Sequence, residues 1–367
     1  MKPKHLIALA VLCLLIGLPV GLFLKARAQT PAAKPPDQQA KQAQQAQQNP
    51  TAPVISDYRL SGPYTHENLT VFLVHGKDQT TKTFLTLQEA LAQKKVRVYE
   101  TNEVNELAIR NLSNQDVYVQ AGDIVRGGDQ DRMISVDFIV PPRSGRVPIA
   151  AFCVESGRWN RRGREDSSSF SSSANSVATK DLKLAAKSEK SQQAVWDNVK
   201  VAQEKLADNV VNASARPSGI LNSTASYELS VEDSNVKEAT AKYTNALAGI
   251  VRSKPDVIGY VFAINGEVNS ADVYASRALF IKLWPKLLKS SAVEAIAELK
   301  KDIELKPVTD ETIRGFLGDA EKATAETKQV TPRVKLVTRE DDKNAFFETV
   351  DLQQKDGWVH RNYIRKN

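Results

Sequence analysis

The sequence predicts an α+β fold: a predominantly antiparallel sheet, sandwich- or meander-like, with several amphipathic helices packed against one side of it. Three observations predict it. Short apolar runs alternate with polar residues at strand spacing between about residues 58 and 156. Turn-forming Asn, Gly, Pro, Asp and Ser separate these runs at short intervals. From about residue 186 onward, apolar residues recur instead at helical spacing. Strands and helices therefore come in blocks.

Taken in order, Leu69, Phe72 and Val74 belong to a first strand, and Phe84, Leu87, Ala90 and Leu91 share one face of a short helix. The runs VRVYET, LAIRNLS, DVYVQAGDIV, RMISVDFIV and RVPIAAFCVE read as strands, and PPRSGR as a hairpin turn. Residues 160–179, basic and then serine-rich, read as a long mobile loop. Helices are expected over about 186–210 and 232–253; in the second, Val236, Ala239, Tyr243, Ala246, Leu247 and Ile250 recur at helical spacing. VIGYVFAINGEVNSADVYA is a hairpin whose Asn265-Gly266 pair suits a turn needing positive φ. The next helix carries Leu279, Phe280, Leu283, Trp284, Leu287 and Leu288, with Pro285 marking a kink or restart. A helix near 309–324 and a strand-rich end close the chain.

The N-terminus predicts export. A basic start, an uncharged run from Leu6 to Leu24 and the small-residue site Ala26-Arg27-Ala28 make residues 1–28 a signal peptide or an N-terminal membrane anchor. Residues 29–53 are rich in Gln, Pro and Ala and hold nothing large to bury, so a disordered tether is expected before a single folded domain, 54–367. The protein is expected to be periplasmic or extracellular, in contact with membrane only through residues 6–24. The formal net charge of +7 falls to +3 once residues 1–28 are removed, which is not the footprint of a nucleic-acid binder. Cys153 is then the one remaining cysteine, inside an apolar strand, and reads as a buried thiol rather than a nucleophile.

One stretch holds more polar side chains than a sheet needs: Asp123, Arg126, Gly127, Gly128, Asp129, Gln130, Asp131 and Arg132. Glycines let a backbone approach a ligand, and arginines grip anionic oxygens in a fork. Glu155, Gly157, Arg158 and Trp159 end another strand with similar ingredients, and pairing of RMISVDFIV with RVPIAAFCVE would bring Arg132 and Glu155 to one sheet end. The opposing reading is a turn whose acids and bases satisfy one another. Neither a phosphate loop nor a calcium loop is present, since the Gly-Lys-Ser/Thr and terminal-Glu spacings are missing. His66, His75 and His360 lack zinc spacing, so no metal and no cofactor are expected. Asp272, beside the second hairpin, is a candidate for supporting a site from behind.

The runs QAGDIVRGGDQDR, DFIVPPRSGRVPIAAFCVESGRW and GYVFAINGEVNSADVYASRALFIKLWPKLLKSSAVEAI resemble the ARG and rhodanese-phosphatase-superfamily-associated protein domain, a family without an established activity. The resemblance extends over about residues 65–300, with GWVHRNYI as a closing strand. It implies one folded unit and, through the family's name, an association with ADP-ribose or phosphoester chemistry. It also implies a candidate site at Asp123, Gly127, Gly128, Gln130, Asp131, Arg132, Glu155, Arg158 and Trp159.

The leading expectation is an exported binding or interaction module that uses this cluster for an anionic small molecule, an envelope polymer or a protein. The alternative is a hydrolase of a phosphoester or glycosidic bond, with Asp123, Asp131 or Glu155 as acid and base and Arg126, Arg132 or Arg158 on the anion. A third is a scaffold whose helical half mediates assembly. An enzyme should hold two carboxylates across a pocket, whereas a scaffold should pair every Asp and Arg internally.

Overall fold

The computed structural model describes residues 58–101, 103–157, 170–173, 177–211, 220, 226–300, 304–354 and 357–366. Residues 1–28 and 29–53, expected to be an export segment and a tether, and most of the serine-rich run lie outside them, as do Arg158 and Trp159. In chain order the first half contributes β1 (Arg59–His66), β2 (Leu69–His75), β3 (Leu85–Thr86), α1 (Leu87–Ala92), β4 (Val96–Glu100), β5 (Glu106–Asn111), β6 (Val117–Val119), β7 (Ile124–Gly127), β8 (Arg132–Ile134), β9 (Phe138–Val140), β10 (Val147–Cys153) and β11 (Phe170–Ser172). The second half contributes α2 (Lys180–Leu184), α3 (Gln192–Val211), α4 (Tyr227–Glu232), α5 (Ser234–Leu247), β12 (Val257–Ile264), β13 (Glu267–Tyr274), α6 (Arg277–Ala297), α7 (Asp310–Ala320), β14 (Ala325–Gln329), β15 (Val334–Glu340), β16 (Asn344–Asp351) and β17 (Trp358–Arg365).

Among the described residues these strands form three sheets. The largest has eight antiparallel strands in the order β1-β2-β12-β13-β17-β16-β15-β14. A second has six, β11-β7-β8-β10-β5-β4, and a third has three, β3-β6-β9, with β3 and β6 parallel. The fold is thus α+β and predominantly antiparallel.

Alternation along the strands decides what covers the large sheet. Leu69, Val71 and Leu73 of β2 face a core completed by Leu283, Leu287 and Val293 of α6. Phe72 and Val74 face the opposite way, onto Ile313, Phe316 and Leu317 of α7. Helices therefore lie on both faces, not on one as the sequence suggested. This is why β12 is buried along its whole length and reads as an unbroken apolar run. The turn between β12 and β13 has φ of 54° at Asn265 and 80° at Gly266, as that pair requires.

Two runs that read as single strands are each divided. DVYVQAGDIV supplies β6 to the small sheet and β7 to the six-stranded one. Between them, Asp123 N–H donates to the Gln120 carbonyl at 3.0 Å, and the Asp123 carboxylate accepts from Gln120 N–H at 3.0 Å. Gly122, at φ 90°, lets the chain turn this corner. RMISVDFIV divides likewise into β8 and β9. Of the run expected to be a loop, Phe170–Ser172 pairs with β7 as β11. The helix expected from 186 begins earlier as α2, passes through a π-turn at Ala185–Glu189, and restarts as α3 after Lys190 takes a left-handed φ of 52°. Pro285 lies inside α6 and does not end it.

Candidate functional site

The glycine-rich cluster forms the connection from β7 to β8. Gly128 holds a left-handed φ of 57°, and a Cβ there would lie 2.3 Å from a Glu100 carboxylate oxygen and from the Phe170 ring. The loop folds back on itself: Gly127 N–H donates to Asp131 Oδ1 at 3.1 Å. Gln130 Nε2 donates to the Glu155 carbonyl at 3.1 Å, and Asp131 N–H to Glu155 Oε2 at 3.5 Å. Arg132, 2% exposed, donates to Glu100 Oε2 at 3.3 Å and to the Val104 carbonyl. Arg126 is half-buried, bonded to Glu232 and 3.8 Å from Glu228. The register Cys153↔Arg132 brings Arg132 and Glu155 to one sheet end, as the pairing of those two runs implies. Here charge-assisted bonds tie β4, β7, β8 and β10 together, the Asp131 and Glu155 carboxylates accepting from backbone N–H groups and the Arg132 guanidinium meeting Glu100.

Asp123 is turned the other way. Its Oδ1 accepts from Lys286 Nζ of α6 at 2.7 Å, in a pair 5% exposed on both sides. It stands at the edge of a larger buried network centred on His360 of β17. His360 Nδ1 is 2.7 Å from Asp137 Oδ2, and its Nε2 is 2.9 Å from Asp272 Oδ1. Asp137 also accepts from Ala121 N–H at 2.6 Å and from the Thr349 hydroxyl at 2.8 Å. Asp272 also accepts from Asn362 Nδ2 at 3.0 Å. Tyr274 stacks on the imidazole with ring centres 4.4 Å apart, and its hydroxyl donates to Gln120 Oε1 at 2.8 Å. Asp272, expected at the margin of a site, is therefore at the middle of this buried network.

Two lysines of the α2 segment enter the same interior. Lys187 Nζ donates to Asn362 Oδ1 at 3.2 Å and lies 4.0 Å from the centre of the Phe347 ring. Lys183 packs against Gly122, where an added Cβ would come within 2.8 Å of its Cε. Burial pushes the Asp137 carboxyl up, but His360, Lys187 and the Ala121 amide outweigh it and hold it well below the carboxylate range. Burial acts the same way on Asp272, and Lys183, His360 and Lys187 reverse it. For His360 burial favours the neutral ring, and the two carboxylates overcome this and raise its pKa. Lys187 is brought down to about 8, because desolvation exceeds the help it gets from Asp137. Displaced ionisable groups of this kind concentrate at functional sites.

An open cleft of about 790 Å³ lies beside the Asn265-Gly266 turn, between α2, α7 and the end of β17. Lys180, Lys205, Lys300, Arg365 and Lys366 stand on its walls, with Asp181, Glu267, Glu298 and Asp319 among them. Lys205 and Glu298 are paired. Asn269, 5% exposed, also lines the cleft, and behind it lies Glu294 of α6. Asn269 Nδ2 donates to Glu294 Oε1 at 2.8 Å, and Lys180 N–H donates to Oε2 at 3.3 Å. Burial lifts the Glu294 carboxyl to about 7, against the hydrogen bond from Asn269. Lys180, Lys183 and Lys187 follow one another at helical spacing, so one short segment runs from the cleft wall into the His360 network.

Sequence reasoning missed His360, Asp137, Lys183, Lys187, Lys286 and Glu294. The available signal was polar residues at same-face positions of otherwise apolar strands, as in Asp272 of β13 and His360 and Asn362 of β17. Among the described residues no three His, Cys, Asp or Glu side chains converge as a metal-ligand set.

No curated protein and no solved structure matches this chain. The ARG and rhodanese-phosphatase-superfamily-associated protein domain matches residues 57–364, from the first strand through all but the last residue of the closing one. With that match covering both hairpins, the glycine-rich connection and the strand that carries His360, the chain belongs to the ARG and rhodanese-phosphatase-superfamily-associated protein domain family.

Proposed function

We propose that this chain is an exported binding module whose ligand carries an anionic group and sits in the cleft beside the Asn265-Gly266 turn. The glycine-rich connection serves on this reading as scaffold. The observation that carries it is the clustering of five basic side chains from four segments at one open cleft, of a size ordinary for small-molecule sites. Asp123, Gln130, Asp131, Arg132 and Glu155, in contrast, are buried and bonded within the protein. Acids interleaved with the bases favour a ligand that is polar along its length, with its charge at one end, such as a sugar phosphate or an acidic fragment of an envelope polymer. Export rests on the basic start, apolar run and Ala26-Arg27-Ala28 site of the first 28 residues.

A hydrolase is the second reading, and the near-neutral carboxyl of Glu294 behind the cleft is what favours it. The groups first considered for acid–base work, Asp123, Asp131 and Glu155, already spend their oxygens on Lys286, Gly127 and the Asp131 amide.

The test is thermal unfolding of the full chain with nucleotides, ADP-ribose, sugar phosphates, acidic sugars and peptidoglycan fragments, beside a Lys180→Glu/Lys300→Glu variant. A ligand at a hundred times its dissociation constant adds about 2.7 kcal/mol, a clear rise in midpoint. A rise lost in the variant supports the cleft. A rise retained in the variant, or none with any anion, removes it. Turnover of the compound that binds would replace the binding reading with the hydrolase.

A further inference from the structure

The cleft has an acid placed where a bound anion would meet it. Asn269 and Lys180 both line the cleft, and both donate to the Glu294 carboxylate, Asn269 through its side chain at 2.8 Å and Lys180 through its backbone at 3.3 Å. The Asn269 carbonyl oxygen accepts from the Ser270 hydroxyl at 2.9 Å, so the orientation of the amide toward Glu294 is fixed. Glu294 itself is 6% exposed. One amide side chain thus separates the ligand space from a buried carboxyl group.

Resting on the cleft reading, we propose that binding of an anion there takes up a proton at Glu294, so that the site holds its ligand more tightly as the pH falls. The reason is electrostatic. A negative ligand added in front of Asn269 raises the cost of a second negative charge directly behind it, and the carboxylate answers by protonating. The groups already acting on Glu294 are Asp181 of α2, which opposes its ionisation, and Lys180 and Lys183 of α2, which favour it. Tyr260 of β12, whose hydroxyl lies 3.2 Å from Ser291 Oγ, is raised first by burial, then by Asp272 and Glu294, and stays neutral. Burial brings the carboxyl to about 7 without any ligand, so a modest further push changes its occupancy near neutral pH. Lys183 does not replace the proton, because it also acts on Asp272, whose ionisation it favours.

The probe is glucose 6-sulfate, whose charge does not titrate between pH 6 and pH 8. Calorimetry of the full chain in buffers of different ionisation enthalpy is expected to show uptake of about half a proton per ligand at pH 7.5. Affinity is expected to weaken about fivefold between pH 6 and pH 8. Glu294→Gln should still bind, with no uptake and no pH dependence. The carbon-13 shift of the Glu294 carboxyl, followed in the unliganded wild-type protein, gives a reading that does not depend on the variant folding; titration near neutral pH supports the proposal, and titration at the ordinary value overturns it. Binding without proton uptake also overturns it and leaves the cleft in place. Failure of glucose 6-sulfate to bind at any pH, together with no rise in midpoint from any of the other anions, overturns the cleft and this proposal together.

Discussion

His360 Nε2 lies 2.9 Å from Asp272 Oδ1, on the strand directly beside its own, while the other nitrogen of the same ring lies 2.7 Å from Asp137. A ring that meets a carboxylate oxygen at both nitrogens can satisfy both only by donating from both, which makes it an imidazolium. Nitrogen-15 shifts at pH 7 are expected to show two protonated ring nitrogens. His360→Gln leaves two carboxylates without their cation and is expected to cost about 3–5 kcal/mol in urea unfolding.

The same network sets a pH window. The pKa of His360 is raised on folding, so its contribution is complete below its unfolded value and fades as the pH rises through the folded one. The pKa of Asp137 is depressed, so its contribution is complete above its unfolded value and fades as the pH falls through the folded one. The stability lost in His360→Gln should therefore be greatest between about pH 4 and pH 6.5 and shrink on both sides. Paired urea titrations across that range check it, and a loss that grows steadily with pH would contradict it.

Lys286 and Asp123 form an ion pair 5% exposed on both sides. Lys286→Met alone leaves a buried carboxylate and is expected to cost about 3–5 kcal/mol. Asp123→Asn added to it removes the stranded charge and should recover a large part of that loss. The recovery, read from a double-mutant cycle, measures the coupling of α6 to the β6–β7 corner.

Glu228 of α4 is buried, and desolvation lifts its carboxyl to about 7 against Ser173 and Arg126. A raised acid stabilises the fold fully below its unfolded pKa and loses that contribution as the pH passes the folded value. Glu228→Gln should therefore leave stability near pH 4.5 almost unchanged and gain up to about 3 kcal/mol above pH 8. Thermal melts at the two pH values decide it.

Gly128→Ala introduces a Cβ at a left-handed φ, 2.3 Å from Glu100 Oε1 and Phe170. Glu100 also holds Arg132 and the Asp129 amide, so the displacement spreads to the whole connection. A loss of about 1–3 kcal/mol is expected in urea unfolding. If the substitution is silent, the close packing of this loop is not required.

What could be read from the chain depended on whether an interaction was local. The β12–β13 hairpin was legible because Asn265 and Gly266 carry their own backbone preference. The acids and bases near Arg132 were legible as a cluster because a few residues separate them, though which way they face was not. His360, Asp137 and Asp272 are far apart along the chain and meet only because β13 and β17 are neighbours, a matter of strand order. Asp137 looks like the start of an apolar strand, and Lys183 and Lys187 like the polar face of a helix. Nothing local distinguishes a lysine that points inward from one that points to water. The second helical layer was missed for the same reason, since β12 shows only that both of its faces are buried.

The position of β17 bears on when folding can finish. The last strand of this sheet in sequence is not added at an edge; it fills the gap between β13 and β16. Without it, β1, β2, β12 and β13 have no hydrogen-bonded neighbour linking them to β14, β15 and β16, and Asp272 lacks its histidine. A ribosome delivers residues in order, so the eight-stranded sheet can close only after β17, the last of its strands in sequence, has emerged. The contact between His360 and Asp272 therefore closes the sheet as well as the buried network.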